Sequence, residues 1–280
     1  MIPAQFDYVA PATLDEAVAA LSQHGDDAKI LAGGQSLLPV LRMRLNAPEI
    51  VIDLGRIPSL QGIRDDGDAI VIGAMTPHHV VGSDPLVAEH AALISKAVTH
   101  LADAQVRHRG TFGGALAHAD PAGDLGAPVL ALDGQFVITG PGGTRTVPAS
   151  EFFVGLFETA IQDDEILTEV RIPKHTGWGA HYEKFVRIAH QWPIVAVAAT
   201  VRSDGGSLAE AKIGLTNMGS TPLRASAVEA ALAGGSDASS AAALAAEGTS
   251  PPSDLNGDAS YRQHLARVLT RRAVLAAAGA

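Results

Sequence analysis

The sequence predicts an α+β protein in three consecutive parts, expected at residues 1–57, 58–176 and 177–280. Three observations predict it. The first part alternates short apolar runs with an amphipathic helix. The second, from about Ser59, is richer in strand-like runs and turn signals. The third follows Thr176-Gly-Trp-Gly179 and mixes strands with an Ala/Ser-rich stretch. With 47% hydrophobic and 18% charged residues, the composition is that of a folded globular chain, long enough for more than one core.

Thr13 followed by Glu16 reads as a capping box, and Leu14, Val18 and Leu21 share one helical face. Ala28 to Ala32 reads as a short buried strand that Gly33-Gly34 breaks. A second helix is expected from about Ser36, with Pro39 tolerated in its first turn, and Ile50 to Leu54 as the next strand. Together these form a small βαβ-like unit. In the second part, Ala69 to Ala74 reads as a strand and Pro85 to Leu101 mostly as helix. A loop containing Gly110, Gly113 and Gly114 follows. Val129 to Leu132, Gln135 to Thr139 and the turn from Gly140 resemble a hairpin, and Asp163 to Pro173 reads as a turn and strand. In the third part, Ala180–Val186, Ile194–Val201 and Ala209–Asn217 read as strands, the last two joined by a turn at Ser203-Asp-Gly-Gly. Ala225 to Ala246 is helix-prone, weakened at Gly234-Gly235, and expected to be exposed. Tyr261 to Ala278 is a closing helix.

Charge and cysteine count exclude several classes of function. A net charge of -10 argues against a nucleic-acid partner, which needs clustered Lys and Arg. It leaves nucleotide cofactors open, because backbone N–H groups bind phosphate without basic side chains. The chain has no cysteine, so it can hold no disulfide, thiol nucleophile or cysteine-ligated zinc or iron–sulfur cluster. The segment Met1 to Val9 has neither a basic region nor an apolar core, and no long uncharged apolar run occurs. A cytoplasmic chain without a membrane span is expected.

Two glycine-rich segments carry the candidate chemistry. Ile30-Leu-Ala-Gly-Gly-Gln-Ser-Leu37 passes from strand to helix, where successive N–H groups can form an anion site and Ser36 can add a hydroxyl. A plain strand-to-helix turn would read the same way. Arg109 to Asp124 packs small residues beside Thr111, His118, Asp120 and Asp124; a close-packed core loop is its bland alternative. Together they are more specific, since a dinucleotide has two phosphates to hold. The Rossmann pattern G-x-G-x-x-G is absent, so Asp53, twenty residues after Gly33, is read as a strand-end cap rather than a ribose ligand. His78-His79 and His118-x-Asp120 match no metal-binding helix, and surface or hydrogen-bonded histidine is expected at each. Asp65-Asp66 and Asp163-Asp164 read as solvated turns. No catalytic residue and no metal ligand is assigned.

In order and spacing, the segments Ala32-Gly-Gly-Gln-Ser36, Thr111-Phe-Gly-Gly114, Asp120-Pro-Ala-Gly-Asp124, Glu165 to Pro173 and Tyr182-Glu-Lys-Phe-Val-Arg187 resemble the FAD-binding medium subunit of molybdenum hydroxylases, the group of carbon monoxide dehydrogenase and xanthine dehydrogenase. Phe6 to Pro11 and Leu14 to Ala17 also fit, so the resemblance spans nearly the whole chain. Two positions depart from it. Phe112 replaces a smaller aliphatic residue, and Ala115 stands where some members carry Asn or Ser.

The resemblance implies the two-subdomain FAD-binding fold of the vanillyl-alcohol-oxidase type plus a small C-terminal α+β domain. It implies FAD as cofactor. Ile30, Leu31, Ala32, Gly33, Gly34, Gln35, Ser36 and Leu37 would hold the pyrophosphate from one side, and Thr111, Gly113, Gly114 and Ala115 from the other. The Asp120–Asp124 segment is part of the match, and Asp124 would hydrogen-bond the flavin or ribityl region. Leu101 and Leu167 would line the adenine and isoalloxazine surroundings. Lys184 would sit near the flavin, and Trp192 would cover its ring or pack in the core. The resemblance further implies partners: an iron–sulfur small subunit and a molybdenum large subunit, with electrons passing on to an external acceptor. A stand-alone oxidase of the vanillyl-alcohol-oxidase type is the alternative; the short chain and its C-terminal motifs count against it.

Overall fold

The computed structural model describes residues 1–204 and 207–279. The N-terminal part is a three-stranded parallel sheet of β1 (Asp7–Val9), β2 (Ala28–Leu31) and β3 (Ile50–Asp53), ordered β1-β3-β2. Helix α1 (Leu14–His24) lies on it and buries Ala17, Val18 and Leu21. Thr13 Oγ1 accepts from Glu16 N, while the Glu16 carboxylate reaches back to Ala12 N rather than to the cap itself. The helix α2 (Leu37–Arg42) joins β2 to its parallel neighbour β3, which makes the expected βαβ unit. Asp53 ends β3 as a cap, accepting from Gly55 N at 2.8 Å and from the Tyr8 hydroxyl at 2.6 Å.

The middle part is a five-stranded antiparallel sheet. Its strands are β4 (Ile63–Asp66), β5 (Ala69–Gly73), β6 (Gln135–Gly140), β7 (Gly143–Pro148) and β10 (Ile166–Pro173), in the order β4-β5-β10-β6-β7. A two-stranded ribbon of β8 (Phe153–Gly155) and β9 (Glu158–Thr159) stands beside it. Between β5 and β6 run α3 (His78–Ser83), α4 (Pro85–His90), α5 (Ala92–His100), α6 (Ala104–Arg109), α7 (Phe112–His118) and α8 (Gly126–Ala131); α9 (Ala149–Phe152) follows β7.

The Pro85–Leu101 stretch is mostly helix as expected, divided in two where Ala91 leaves helical geometry (φ -142°, ψ 46°). Three expectations are corrected here. Val129–Leu132 is helical rather than a strand, since its apolar run is wrapped on all sides by core; the hairpin is β6–β7. Gly113 and Gly114 belong to the first turn of α7, whose cap is Thr111. Asp65 and Asp66 are not a solvated turn but strand residues, ion-paired to Lys174 and Arg171.

The C-terminal part is a four-stranded antiparallel sheet of β11 (Gly179–Phe185), β12 (Val195–Asp204), β13 (Ser207–Thr216) and β14 (Leu223–Arg224). Gly205 and Gly206, within the expected turn, lie outside the described residues. Alternation along β12 explains how this sheet is covered on both faces. Val195, Val197, Ala199 and Val201 face a core shared with α12 (Ala259–Ala278), whereas Ala196 and Ala198 face the core of the middle part. The Ala/Ser-rich stretch forms α10 (Ser226–Ala233) and α11 (Ala238–Ala242), broken at Gly234-Gly235 as expected. It is not an exposed appendage. Val228, Leu232 and Ala241 are buried against the sheet and α12, because alanine lets the helices approach closely.

Candidate functional site

A cleft of about 820 Å³ opens between the N-terminal and middle parts, with the His190–Trp192 segment at its rim. The two glycine segments meet at its wall. Beyond β2, Gly34 takes φ +73°, which turns the chain into α2. Among the described residues, no protein acceptor takes the N–H groups of Gly33, Gly34, Gln35, Ser36 or Leu37. Ser36 makes no cap hydrogen bond with its side chain. These consecutive N–H groups at a chain turn in a cleft wall form a nest suited to a phosphate or diphosphate.

The second segment is built differently. Phe112 N donates to Thr76 O at 2.9 Å, Gly113 N to Ala74 O at 2.8 Å and Ala115 N to Thr111 O at 3.1 Å, and Gly114 N to Thr111 Oγ1 at 3.2 Å. Its backbone N–H groups from Phe112 to Ala115 are therefore already spent. This segment supplies a close-packed wall and the Thr111 hydroxyl, not a second nest. The glycines explain the closeness. A Cβ on Gly113 would stand 2.7 Å from Ala74 Cα, and one on Gly114 would stand 3.0 Å from Ala32 Cβ.

All the site residues expected from the sequence line this cleft except Leu31 and Lys184. Leu31 packs beside Gly34 instead. Lys184 stands behind the wall. Its ammonium is 2.8 Å from Asp124 Oδ2 and donates to His100 O at 3.0 Å, while Tyr182 donates its hydroxyl to Asp124 Oδ1 at 2.7 Å. Lys184 can thus influence a bound group only through Asp124, which does line the cleft. Burial pushes the Asp124 carboxyl above its ordinary value, and Lys184 and Tyr182 act against that shift. Burial, then the charge of Asp124, pushes the Tyr182 hydroxyl well up. Asp120 makes a local turn, accepting from Ala122 N at 2.9 Å. Trp192 is 68% exposed at the cleft rim, so core packing does not account for it.

Sequence reasoning missed several wall residues, among them Met75, Phe157 and His78. His78 is neither surface nor hydrogen-bonded, contrary to expectation. It is buried, and its Nδ1 has no partner among the described residues. The His78-His79 pair was legible, but it matched no metal motif and carried no signal of burial. No group of three or more His, Cys, Asp or Glu side chains able to hold a metal occurs among the described residues.

A turn with unpaired N–H groups, a packed glycine wall and a long cleft fit a dinucleotide-binding protein, and comparison with known proteins assigns the family. Residues 4–175 match the FAD-binding domain in molybdopterin dehydrogenase, and residues 180–277 match the C-terminal domain of the CO dehydrogenase flavoprotein. The chain belongs to this family. It is 42% identical to the carbon monoxide dehydrogenase medium chain of Hydrogenophaga pseudoflava, over 99% of this chain and 98% of that one. It is 37% identical to the nicotine 6-hydroxylase medium subunit of Paenarthrobacter nicotinovorans, over 96% of each. Among solved structures, carbon monoxide dehydrogenase from H. pseudoflava superposes with a TM-score of 0.96 at 44% identity, covering 99% of this chain and 98% of that chain. Quinoline 2-oxidoreductase from Pseudomonas putida 86 superposes with a TM-score of 0.94 at 34% identity, covering 100% and 99%.

Proposed function

We propose that the chain is the FAD-carrying medium subunit of a molybdenum hydroxylase complex and holds the diphosphate of FAD on the turn from Gly33 to Leu37. The observation that carries this reading is the run of unpaired N–H groups on residues that line the cleft. Bound FAD supplies the redox chemistry, exchanging electrons between iron–sulfur clusters of a partner and an external acceptor. This chain's residues bind and orient it. The N–H groups of Gly33 to Leu37 hold anionic oxygens without a basic side chain. Thr111 bounds the site from the other side, with a hydroxyl that can still donate. Asp124 presents a carboxylate held in one orientation by Tyr182 and Lys184. Leu101 and Leu167 give apolar walls that limit water, and Trp192 would shield the rim.

The absence of cysteine supports partners: iron–sulfur clusters must sit in another chain, with the molybdenum centre in a third. We place the complex in the cytoplasm; no helix of the described residues is long and apolar enough to cross a membrane. We propose boundaries between the three parts after residues 57 and 176. Relatives acting on carbon monoxide, nicotine and caffeine share this chain type, which supports a substrate pocket in the large subunit.

The test is purification of the chain from its native source. Equimolar released FAD with co-purifying iron- and molybdenum-containing chains is the expected result. A colourless, partner-free chain that takes up no added FAD would overturn the reading.

A further inference from the structure

Among the described residues, His78 is the one ionisable side chain of the cleft wall that is more than nine-tenths buried and makes no side-chain hydrogen bond. It begins α3, and its backbone N–H is fixed by Gly110 O at 2.9 Å. The ring lies against the backbone of the second glycine segment. A Cβ on Gly110 would fall 2.8 Å from His78 Cδ2 and 3.0 Å from Nε2, so the missing side chain at Gly110 admits the ring. Gly110 is also where the two segments touch, 2.6 Å from the position of a Cβ on Gly33. The Nε2 edge therefore stands at the joint, while Nδ1 is fully covered.

Burial, reinforced by the charge of Arg107, holds the ring neutral, with its pKa lowered to about 4. A neutral imidazole has one N–H and one bare nitrogen. A covered bare acceptor is less costly to leave unpaired than a covered N–H, which favours the tautomer with the proton on Nε2. Pure packing at this place would be served as well by an aromatic hydrocarbon, without an unsatisfied nitrogen.

We propose that His78 is a ligand-binding residue whose Nε2–H donates to an oxygen of the ribose–diphosphate stretch of the dinucleotide where the two glycine segments meet. This rests on the FAD reading above. The test uses the full chain freed of flavin. Its ¹⁵N-histidine spectrum is followed as FAD, and separately ADP, is added, and FAD affinity is measured for the parent, His78→Phe and His78→Gln. The His78 Nε2 resonance should shift with both ligands. His78→Phe should bind FAD about tenfold more weakly, the worth of one hydrogen bond, and His78→Gln should stay within about threefold of the parent. If His78→Phe binds FAD with parental affinity and the ring nitrogens do not move, the histidine is a packing residue, and the FAD reading stands without it. If the parent takes up no FAD, both fall. If His78→Phe fails to fold, the parent spectrum alone decides: a shift of Nε2 supports the contact and its absence overturns it.

Discussion

Gly33 and Gly110 lie backbone against backbone, so close that a Cβ on Gly33 would stand 2.6 Å from the Gly110 Cα. The glycines thus weld the two segments together. A side chain at Gly33 or Gly113 would strike the protein itself before reaching a ligand, at Arg109–Gly110 or at Ala74.

Gly33→Val and Gly113→Val should therefore lose flavin and stability together, with destabilisation of about 1–3 kcal/mol or more from overpacking. Thermal melting and released FAD are measured on the same samples. Parental melting with lost flavin would mean that the side chain had entered the ligand's space after all.

Lys184→Met leaves Asp124 buried, with Tyr182 as its remaining partner. With Lys184 and Asp124 side chains only 5% and 9% exposed, breaking the pair should cost about 3–5 kcal/mol in urea unfolding. The double variant Lys184→Met/Asp124→Asn should recover part of that loss, because it removes the uncompensated charge. Additive losses would show that the two side chains do not act as a pair.

The stability of the chain should fall as pH drops from about 6.5 to about 4, the window set by His78. Within it the unfolded chain binds a proton that the folded ring refuses, so stability rises with pH. The full contribution is about 3 kcal/mol. Above the ordinary histidine value this group adds no slope. Melting profiles of His78→Phe should be flatter over that window; an identical slope would assign the acid sensitivity elsewhere.

Trp192→Ala should change folding stability by less than about 0.5 kcal/mol, because the ring is largely exposed. Flavin absorbance and fluorescence should nonetheless change, since Trp192 lies at the cleft rim. An unaltered flavin spectrum would place Trp192 outside the flavin's surroundings.

The parts legible in sequence were those governed by local rules. Thr13 and Glu16 cap α1, the apolar run from Ile194 to Val201 marks β12, and Gly34 supplies a positive-φ turn that few other residues adopt. The break at Gly234-Gly235 was visible for the same reason. Where reading failed, the deciding partner lay far along the chain. Val129–Leu132 has a strand-like composition, yet full burial on every side lets it be helix. Asp65 and Asp66 look like a turn until Arg171 on β10 and Lys174 just beyond it arrive from far along the chain.

The same division runs through the site. The sequence by itself carried the family resemblance and the two glycine segments, because glycine spacing is a chemical fact of the chain; the lack of cysteine likewise leaves no ligand here for a cysteine-ligated cluster. Only the tertiary structure decided which N–H groups remain free. Hydrogen bonds from Ala74 O and Thr76 O consume those of Phe112 and Gly113, while those of Gly33 to Leu37 find no protein acceptor among the described residues. It also decided that Lys184 stands behind Asp124 and that His78 is buried unpaired, since burial and pairing belong to residues brought together from distant parts of the chain.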